Sequence, residues 1–251
     1  MEPIQRGNIR LAATVLLLRD ASPGPEVFMV KRPGSGVFPD LHVFPGGKVD
    51  EGDHLEAICS GLDDATASAR LGVAAGGLRY WVAAIRECFE ECGVLLATRD
   101  GVLLEFDTAA ERQRFTSYRR AIEAGDMTLP QICRQEGLLL ACDRLAYFSH
   151  WLTPESAPKR FDTRFFTTTM PTGQHAIADT GETAEAEWVR PEDALARHGE
   201  GAWQMIHPTL VTLGSITGKA TVADILAGVR AETHLPALTD ALRAHGMRDL
   251  R

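Results

Sequence analysis

The chain has 251 residues, of which 45% are hydrophobic and 24% are charged, as in an ordinary soluble globular protein. Its net charge of −8 argues against broad electrostatic binding to nucleic acid or to anionic membranes. No apolar run approaches the roughly 20 residues that a membrane span needs, and the length suits one decorated domain.

Targeting and cysteine patterns predict a cytoplasmic protein. The first ten residues, MEPIQRGNIR, lack the apolar segment of a secretory signal, and the last three, Asp-Leu-Arg, do not match a peroxisomal Ser-Lys-Leu signal. The five cysteines are scattered and odd in number, which argues against a disulfide framework. We interpret them as small buried side chains.

The first predicted elements are two antiparallel strands. Residues 9–18 and 26–31 are apolar runs, and the turn residues 22–25 separate them. Arg32 follows the second strand and precedes a Pro-Gly loop. It could hold a substrate phosphate, or it could be an ordinary charge at the end of a strand.

A glycine turn and an acidic helix come next. Residues 44–50, FPGGKVD, lead a short strand into a turn where the backbone can approach a ligand closely. In residues 84–94, AIRECFEECGV, three glutamates share one helix face and Gly93 ends the helix. Clustered carboxylates repel one another unless a cation lies among them, and oxygen ligands suit Mg²⁺ or Mn²⁺. The alternative is a solvated acidic face.

Taken together, these two segments resemble the Nudix box. The second half matches at every fixed position. The first half departs twice, because Asp53 stands where the box has its first glutamate and the distance from Gly47 to Arg86 is roughly 25 residues too long. This split form resembles the branch that contains the peroxisomal coenzyme A diphosphatases. The resemblance continues in residues 150–166 and 181–195.

The resemblance implies an α/β fold, a Nudix-type α/β/α sandwich with a mixed curved sheet. We expect a single domain over residues 1–251, with helical insertions at about 53–80 and 105–140 and a C-terminal helical extension at about 203–251. It also implies metal-dependent hydrolysis of a nucleoside diphosphate linked to another moiety. Coenzyme A or acyl-coenzyme A is favoured, although the arginine-rich signature that precedes FPGG in many such enzymes is absent here.

Other functions stay open. ADP-ribose or NADH, other nucleotides and capped RNA ends are alternative substrates. A nucleotide-sensing binding module with a decayed Nudix site is a non-enzymatic alternative, although the complete REcfEEcG motif argues against it. The expected partner is a small nucleotide-diphosphate substrate, with no membrane and no nucleic acid, and a homodimer is conceivable.

The resemblance also assigns candidate roles to individual residues. The metal ligands, for Mg²⁺ or Mn²⁺, are Glu87, Glu90, Glu91 and the backbone carbonyl of Gly46. Arg86 is expected to hold a box glutamate by an ion pair. The proton of the attacking water would go to one of these acids, or to Glu182 or Glu185 in the acidic loop that precedes a strand ending at Val189. Whether Asp53, or instead Asp50 or Glu51, replaces the missing glutamate is left open.

The second half of the chain predicts further helices and strands. Helices are expected at 109–124 and 130–136, and strands at 145–151 and 160–168. In the last strand Arg160, Asp162 and Arg164 share one face. They form either a salt-bridged row or a site where Arg160 or Arg164 binds a substrate phosphate. Residues 191–195 are expected to open a helix. Short helices follow at 208–213, 221–233 and 235–245, which we interpret as a C-terminal cap or a dimer contact.

Overall fold

A computed structural model describes residues 5–6, 9–33, 40–53, 55–155, 157, 159–177, 185–235 and 238. Glu182 and most of the helix predicted at 235–245 lie outside these residues. Within the described ranges, no helix combines the length and the apolar character that crossing a bilayer requires.

The strands are short apart from β2 and β11, and the helices have 8 to 15 residues. The strands are β1 (Gln5–Arg6), β2 (Ile9–Arg19), β3 (Glu26–Lys31), β4 (His42–Val43), β5 (Gly46–Lys48), β6 (Cys59–Ser60), β7 (Ala97–Arg99), β8 (Val102–Leu103), β9 (Leu138–Ala141), β10 (Ala146–Leu152), β11 (Arg160–Thr169) and β12 (Glu185–Val189). The helices are α1 (Asp64–Leu71), α2 (Leu78–Cys92), α3 (Ala109–Glu123), α4 (Leu129–Glu136), α5 (Pro191–Gly199), α6 (His207–Ile216) and α7 (Val222–Arg230).

The main sheet has the strand order β10-β11-β2-β3-β12, and of the short strands β1 and β5 pair with β2 and β4 pairs with β3. β11 runs parallel to β2, whereas β2 and β3 are antiparallel, as the sequence predicts. β5 pairs with β2 so that Gly46 lies opposite Thr14 and Lys48 opposite Ala12. The sheet is therefore mixed, and the glycine turn lies beside its central strand.

Helices cover both faces of this sheet. Successive side chains of β2 point to opposite faces, so Leu11 and Val15 join the core beneath α2 while Leu16 joins the core beneath α6. In the first core, Trp81 of α2 packs against Phe166 of β11 with ring centroids 4.6 Å apart. This arrangement confirms the predicted α/β/α sandwich.

A second, smaller sheet joins one strand from each insertion, β6 and β9, to the strands β7 and β8 that lie between the insertions. Its strand order is β6-β9-β7-β8, and α3 and α4 lie within one residue of the predicted helix bounds. β9 was not predicted. Gly137, with a φ of 66°, ends α4, and the apolar run that follows is too short for its periodicity to distinguish a strand from a helix.

The C-terminal helices α6 and α7 pack against the second core. Leu210, Val211 and Leu213 of α6 are buried in the second core, and Ile225 of α7 joins them. Burial against the sheet therefore accounts for the apolar face of this extension within the described residues. The single domain over 1–251 and the homodimer stay predictions.

Candidate active site

Helix α2 presents acidic side chains at its C-terminal half while most of its surface is buried. It ends at Gly93, whose φ is 70° and whose N–H donates to the carbonyl of Phe89. Glu87 and Glu91 are each 9% exposed, and the side chain of Glu90 is 21% exposed. The three carboxylates thus lie at the edge of the core and not on a freely solvated face.

Arg86 lies at the centre of this group. Its Nε and Nη2 donate to the two carboxylate oxygens of Asp53 at 2.9 and 3.0 Å, and Nη2 also donates to the carbonyl of Lys48 at 2.7 Å. Its Nη1 donates to Glu87 at 2.9 Å and to Glu90 at 3.3 Å. One buried guanidinium therefore joins α2 to the turn that follows β5. We call Arg86, Asp53, Glu87, Glu90 and Glu91 the Arg86 cluster.

Asp53 occupies the place where the box has its first glutamate. It is 1% exposed, ends a short 3-10 turn at Glu51–Asp53, and also accepts the N–H of Asp50 at 2.8 Å. Asp50 approaches Arg86 only to 3.9 Å, and Glu51 is exposed. Of the three acids that the sequence left open, Asp53 makes the two-bond contact with Arg86.

The glycine turn brings backbone against the same carboxylates. The N–H of Gly46 donates to Glu91 at 2.8 Å. A Cβ at Gly47 would overlap the carboxylate of Glu87, and one at Gly46 would overlap the backbone of β2 at Ala13. Close approach explains why both positions are glycine.

The electrostatics of the Arg86 cluster show a surplus of negative charge. Burial raises the pKa of Glu90 to about 7, Arg86 opposes this shift, and the nearby charges of Glu87 and Asp53 add to it. Burial alone would lower the pKa of Arg86, but Glu87, Asp53 and Glu90 outweigh it and raise that pKa. A positive charge added here would be stabilised.

The donor atoms of the Arg86 cluster fit a hard divalent cation. They are carboxylate oxygens of Glu87, Glu90 and Glu91, and backbone oxygens lie in the neighbouring turn. In the described part of the chain, no three acidic, histidine or cysteine side chains already form a coordination site. Glu87 and Glu90 contact Arg86, and Glu91 accepts from Gly46. Ion binding would therefore exchange some of these contacts.

Of the candidate residues in the outer loops, Arg32 and Glu185 have their observed contacts outside the Arg86 cluster. Glu185 starts β12, is exposed and forms a 3.5 Å salt bridge with Lys31 on β3. Arg32 follows β3, and its backbone N–H donates to the carbonyl of Leu41 at 2.9 Å. Glu182 lies outside the described residues. The catalytic and substrate-binding roles of these three residues stay predictions.

The two arginines of β11 contact other parts of the protein. Arg164 is 5% exposed, and it donates to Asp162 at 3.2 Å and to the carbonyl of Leu71 and the hydroxyl of Tyr147 at 3.3 Å. Nε of Arg160 donates to the carbonyl of Thr153 at 3.1 Å. The observed contacts of both are internal, and their binding of a substrate phosphate stays a prediction.

Arg119 of α3 was not predicted, although it supports the acidic helix. Its Nε donates to the carbonyl of Glu90 at 2.6 Å and its Nη1 to that of Ile177 at 3.1 Å. A cation at the C-terminal end of α2 complements the helix dipole. Its partners are 29 and 58 residues away in sequence, so no local pattern could have revealed them.

A mixed sheet between helices, with an arginine-centred acidic cluster on the helix beside a glycine turn, defines a Nudix hydrolase domain. The chain matches the NUDT19 Nudix domain over residues 73–214, more than half of its length. It belongs to this family.

Proteins similar to the chain agree with this assignment. It is 28% identical over 239 residues to the acyl-coenzyme A diphosphatase NUDT19 of Gallus gallus, with 75% of this chain and 62% of that protein covered. It is 26% identical over 204 residues to the protein of the same name from Xenopus laevis, covering 68% of this chain and 54% of the relative. The chain therefore spans less than two thirds of the length of either relative.

A solved structure shows the same fold. The crystal structure of a Nudix hydrolase from Alicyclobacillus acidocaldarius superimposes with a TM-score of 0.68 at 25% sequence identity, covering 87% of this chain and 96% of that one. The likeness thus extends over nearly all of the crystallised chain and includes regions of this chain outside the matched family range.

Proposed function

We propose that the protein is a divalent-metal-dependent diphosphatase that hydrolyses nucleoside diphosphates linked to another moiety, with coenzyme A or acyl-coenzyme A as substrate. The observation that carries the proposal is the Arg86 cluster, where acidic groups in excess surround one buried guanidinium beside a glycine turn. The similar vertebrate proteins are named acyl-coenzyme A diphosphatases, which supports this substrate class.

Glu87, Glu90 and Glu91 would hold the cation, with the carbonyl of Gly46 as a backbone ligand. Once bound, Mg²⁺ or Mn²⁺ supplies charge neutralisation for the diphosphate oxygens and makes water acidic enough to react near neutral pH. Arg86 fixes the orientation of Glu87 and Glu90 through Nη1 and is itself held by Asp53. It positions the acids and does not need to touch the substrate.

The reaction consumes one water molecule. The water oxygen forms a bond to one phosphorus atom, and the bond between that phosphorus and the bridging oxygen breaks, so the bridging oxygen leaves on the second phosphate. An acid of the cluster takes the proton from the water. Coenzyme A would yield adenosine 3′,5′-bisphosphate and 4′-phosphopantetheine.

The test is a hydrolysis panel of coenzyme A, acetyl-coenzyme A, ADP-ribose, NADH and a diadenosine polyphosphate, each with Mg²⁺ and with Mn²⁺. We expect the two coenzyme A compounds to be cleaved with the highest kcat/KM. Glu90→Gln should lower kcat by about 10²- to 10⁴-fold, while the circular dichroism spectrum stays that of the wild type.

The matched control is Glu200→Gln, which removes an exposed glutamate beside the end of α5 and should leave kcat unchanged. If ADP-ribose or NADH is cleaved preferentially, the proposed substrate class is wrong, but the proposed diphosphate hydrolysis still holds. Absence of hydrolysis across the panel, combined with nucleotide binding detected by calorimetry, would instead indicate a binding module.

A further inference from the structure

A second feature of the molecule is a cleft of about 300 Å³ between the C-terminal end of α2 and the insertion helix α3. We call it the arginine cleft. Its charged lining residues are Arg112, Arg119, Arg120, Glu123 and His175. Three guanidinium groups thus face one carboxylate in a protein whose net charge is −8, so this cleft is a local reversal of the overall charge.

The positive charge of the arginine cleft is only partly neutralised. The carboxylate of Glu123 lies 3.6 Å from Nε of Arg119. Arg112 and Arg120 are exposed, and neither forms a salt bridge within the part of the chain that the structure describes. Nη1 of Arg112 donates to the carbonyl of Phe106 at 2.7 Å, which holds this guanidinium at the cleft and leaves other donors for a ligand.

Arg119 adds a buried donor without an acceptor. Although the residue is only 9% exposed, its Nη2 has no hydrogen-bond partner among the described residues. Its Nε and Nη1 are fixed by the carbonyls of Glu90 and Ile177. A buried guanidinium donor left without a partner is unfavourable, and an anionic ligand in the cleft would supply the missing acceptor.

Aromatic walls complete the arginine cleft. The rings of Phe106 and Phe115 stack with centroids 4.7 Å apart, and Phe89 of α2 packs against Phe115 at 6.4 Å. Apolar walls lower the local dielectric and strengthen charge-assisted hydrogen bonds. Guanidinium groups match the oxygen geometry of phosphate with two parallel bonds. A phosphate monoester is therefore the ligand that fits both the charge and the donors.

We propose that the arginine cleft binds a phosphomonoester group that the substrate carries apart from its diphosphate. This inference rests on the proposed function. The cleft is anchored to the helix that carries the acids, because Phe89 lines it, Glu90 is the next residue of α2, and Arg119 donates to the Glu90 carbonyl. A nucleotide whose diphosphate binds at the Arg86 cluster and whose phosphomonoester binds in the arginine cleft would be held in one orientation. The cleft therefore selects substrates with an extra phosphate on the nucleoside.

The experiment compares coenzyme A with 3′-dephospho-coenzyme A, which differ only in the phosphomonoester. For the wild type we expect kcat/KM to be at least about tenfold higher with coenzyme A, equivalent to one good charge-assisted bond. Arg120→Gln, alone and with Arg112→Gln, should remove this preference by raising KM for coenzyme A while kinetics with the dephospho compound stay unchanged. Arg134→Gln, at an exposed arginine of α4, is the control and should keep the preference.

A binding measurement separates this inference from the proposed function. Calorimetry with adenosine 3′,5′-bisphosphate and adenosine 5′-monophosphate, on wild type and on Arg120→Gln, does not depend on turnover. Tighter binding of the bisphosphate that requires Arg120 supports the cleft even if no diphosphate is hydrolysed. Equal hydrolysis of both coenzyme A forms, equal binding of both nucleotides, or a preference that survives Arg120→Gln overturns the inference while the hydrolase assignment stands.

Discussion

Two buried arginines organise two different networks in this protein. Arg86 on α2 is 7% exposed and Arg164 on β11 is 5% exposed, and each donates to one aspartate, Asp53 and Asp162 respectively. Around Arg86 further carboxylates gather. Arg164 instead adds neutral acceptors, a backbone carbonyl and the hydroxyl of Tyr147. Burial and pairing alone therefore do not distinguish them, but the local charge balance does.

This difference in charge balance distinguishes a candidate ligand-binding site, around Arg86, from a structural contact, around Arg164. A surplus of carboxylates is unfavourable in a partly buried place unless a cation binds there, so we expect the Arg86 cluster to bind one. Around Arg164 the charges are balanced, and its contact with the carbonyl of Leu71 ties the end of α1 to the sheet. We expect substitutions in the first network to change catalysis and stability, and those in the second to change stability.

The largest effect is expected for Arg86→Met. It leaves Asp53, which is 1% exposed, without its charged partner, and breaking a buried ion pair from one side costs about 4 kcal/mol. Urea unfolding followed by circular dichroism measures the free energy of unfolding. Arg134→Met at an exposed position should cost about 0.5 kcal/mol or less. A loss at Arg86 as small as that of the control would show that the cluster does not depend on this guanidinium.

The sequence predicted the first network far better than the second. The spacing of Arg86, Glu87, Glu90 and Glu91 places all four on one helix, where periodicity fixes their relative positions. The antiparallel strands β2 and β3 and the helices α3 and α4 were likewise predicted from local patterns. Local signals suffice when the contacting residues belong to one element or to neighbouring ones.

Contacts between distant segments could not be predicted in this way. Arg164 meets Leu71, 93 residues away, and Arg119 meets Glu90 across the insertion. Whether Asp53, Asp50 or Glu51 replaces the first glutamate of the box was left open, because an aspartate side chain is one methylene shorter and reaches less far. A 3-10 turn brings Asp53 close enough, and such a turn has no reliable sequence pattern.

The next effect in size is expected for Arg164→Met. Asp162 would keep its contact with His150 at 2.9 Å, so the loss of stability should be smaller than for Arg86→Met, about 3 kcal/mol. Under conditions where the variant is folded, we expect KM for the substrate to change little, because the observed contacts of Arg164 are internal. A large rise in KM at unchanged kcat would instead assign Arg164 to substrate binding. The Arg164 network would then not be purely structural.

A smaller effect is expected on the pH dependence of the free energy of unfolding, through the titration of Glu90 in the Arg86 cluster. Burial raises the pKa of Glu90 from 4.5 to about 7, so between these values the native protein keeps a proton that the unfolded chain has lost. Without metal, the free energy of unfolding should therefore decrease as the pH rises from about 4.5 to about 7, by about 2 kcal/mol after allowance for partial exposure. Glu90→Gln should remove this decrease, and Glu200→Gln should keep it. An unchanged slope in Glu90→Gln would assign the pH dependence to other groups.

The smallest effect is expected for Asp53→Glu, which restores the residue type of the Nudix box. The carboxylate charge is kept, so the ion pair with Arg86 survives, but one methylene must fit where Asp53 is 1% exposed and also accepts the N–H of Asp50. Overpacking of this kind costs about 1 kcal/mol, and kcat should change less than threefold, as urea unfolding and steady-state kinetics would show. Asp53→Asn keeps the size and removes the charge, and it should cost more than Asp53→Glu. The opposite order would mean that shape, and not charge, is what Arg86 requires from its partner.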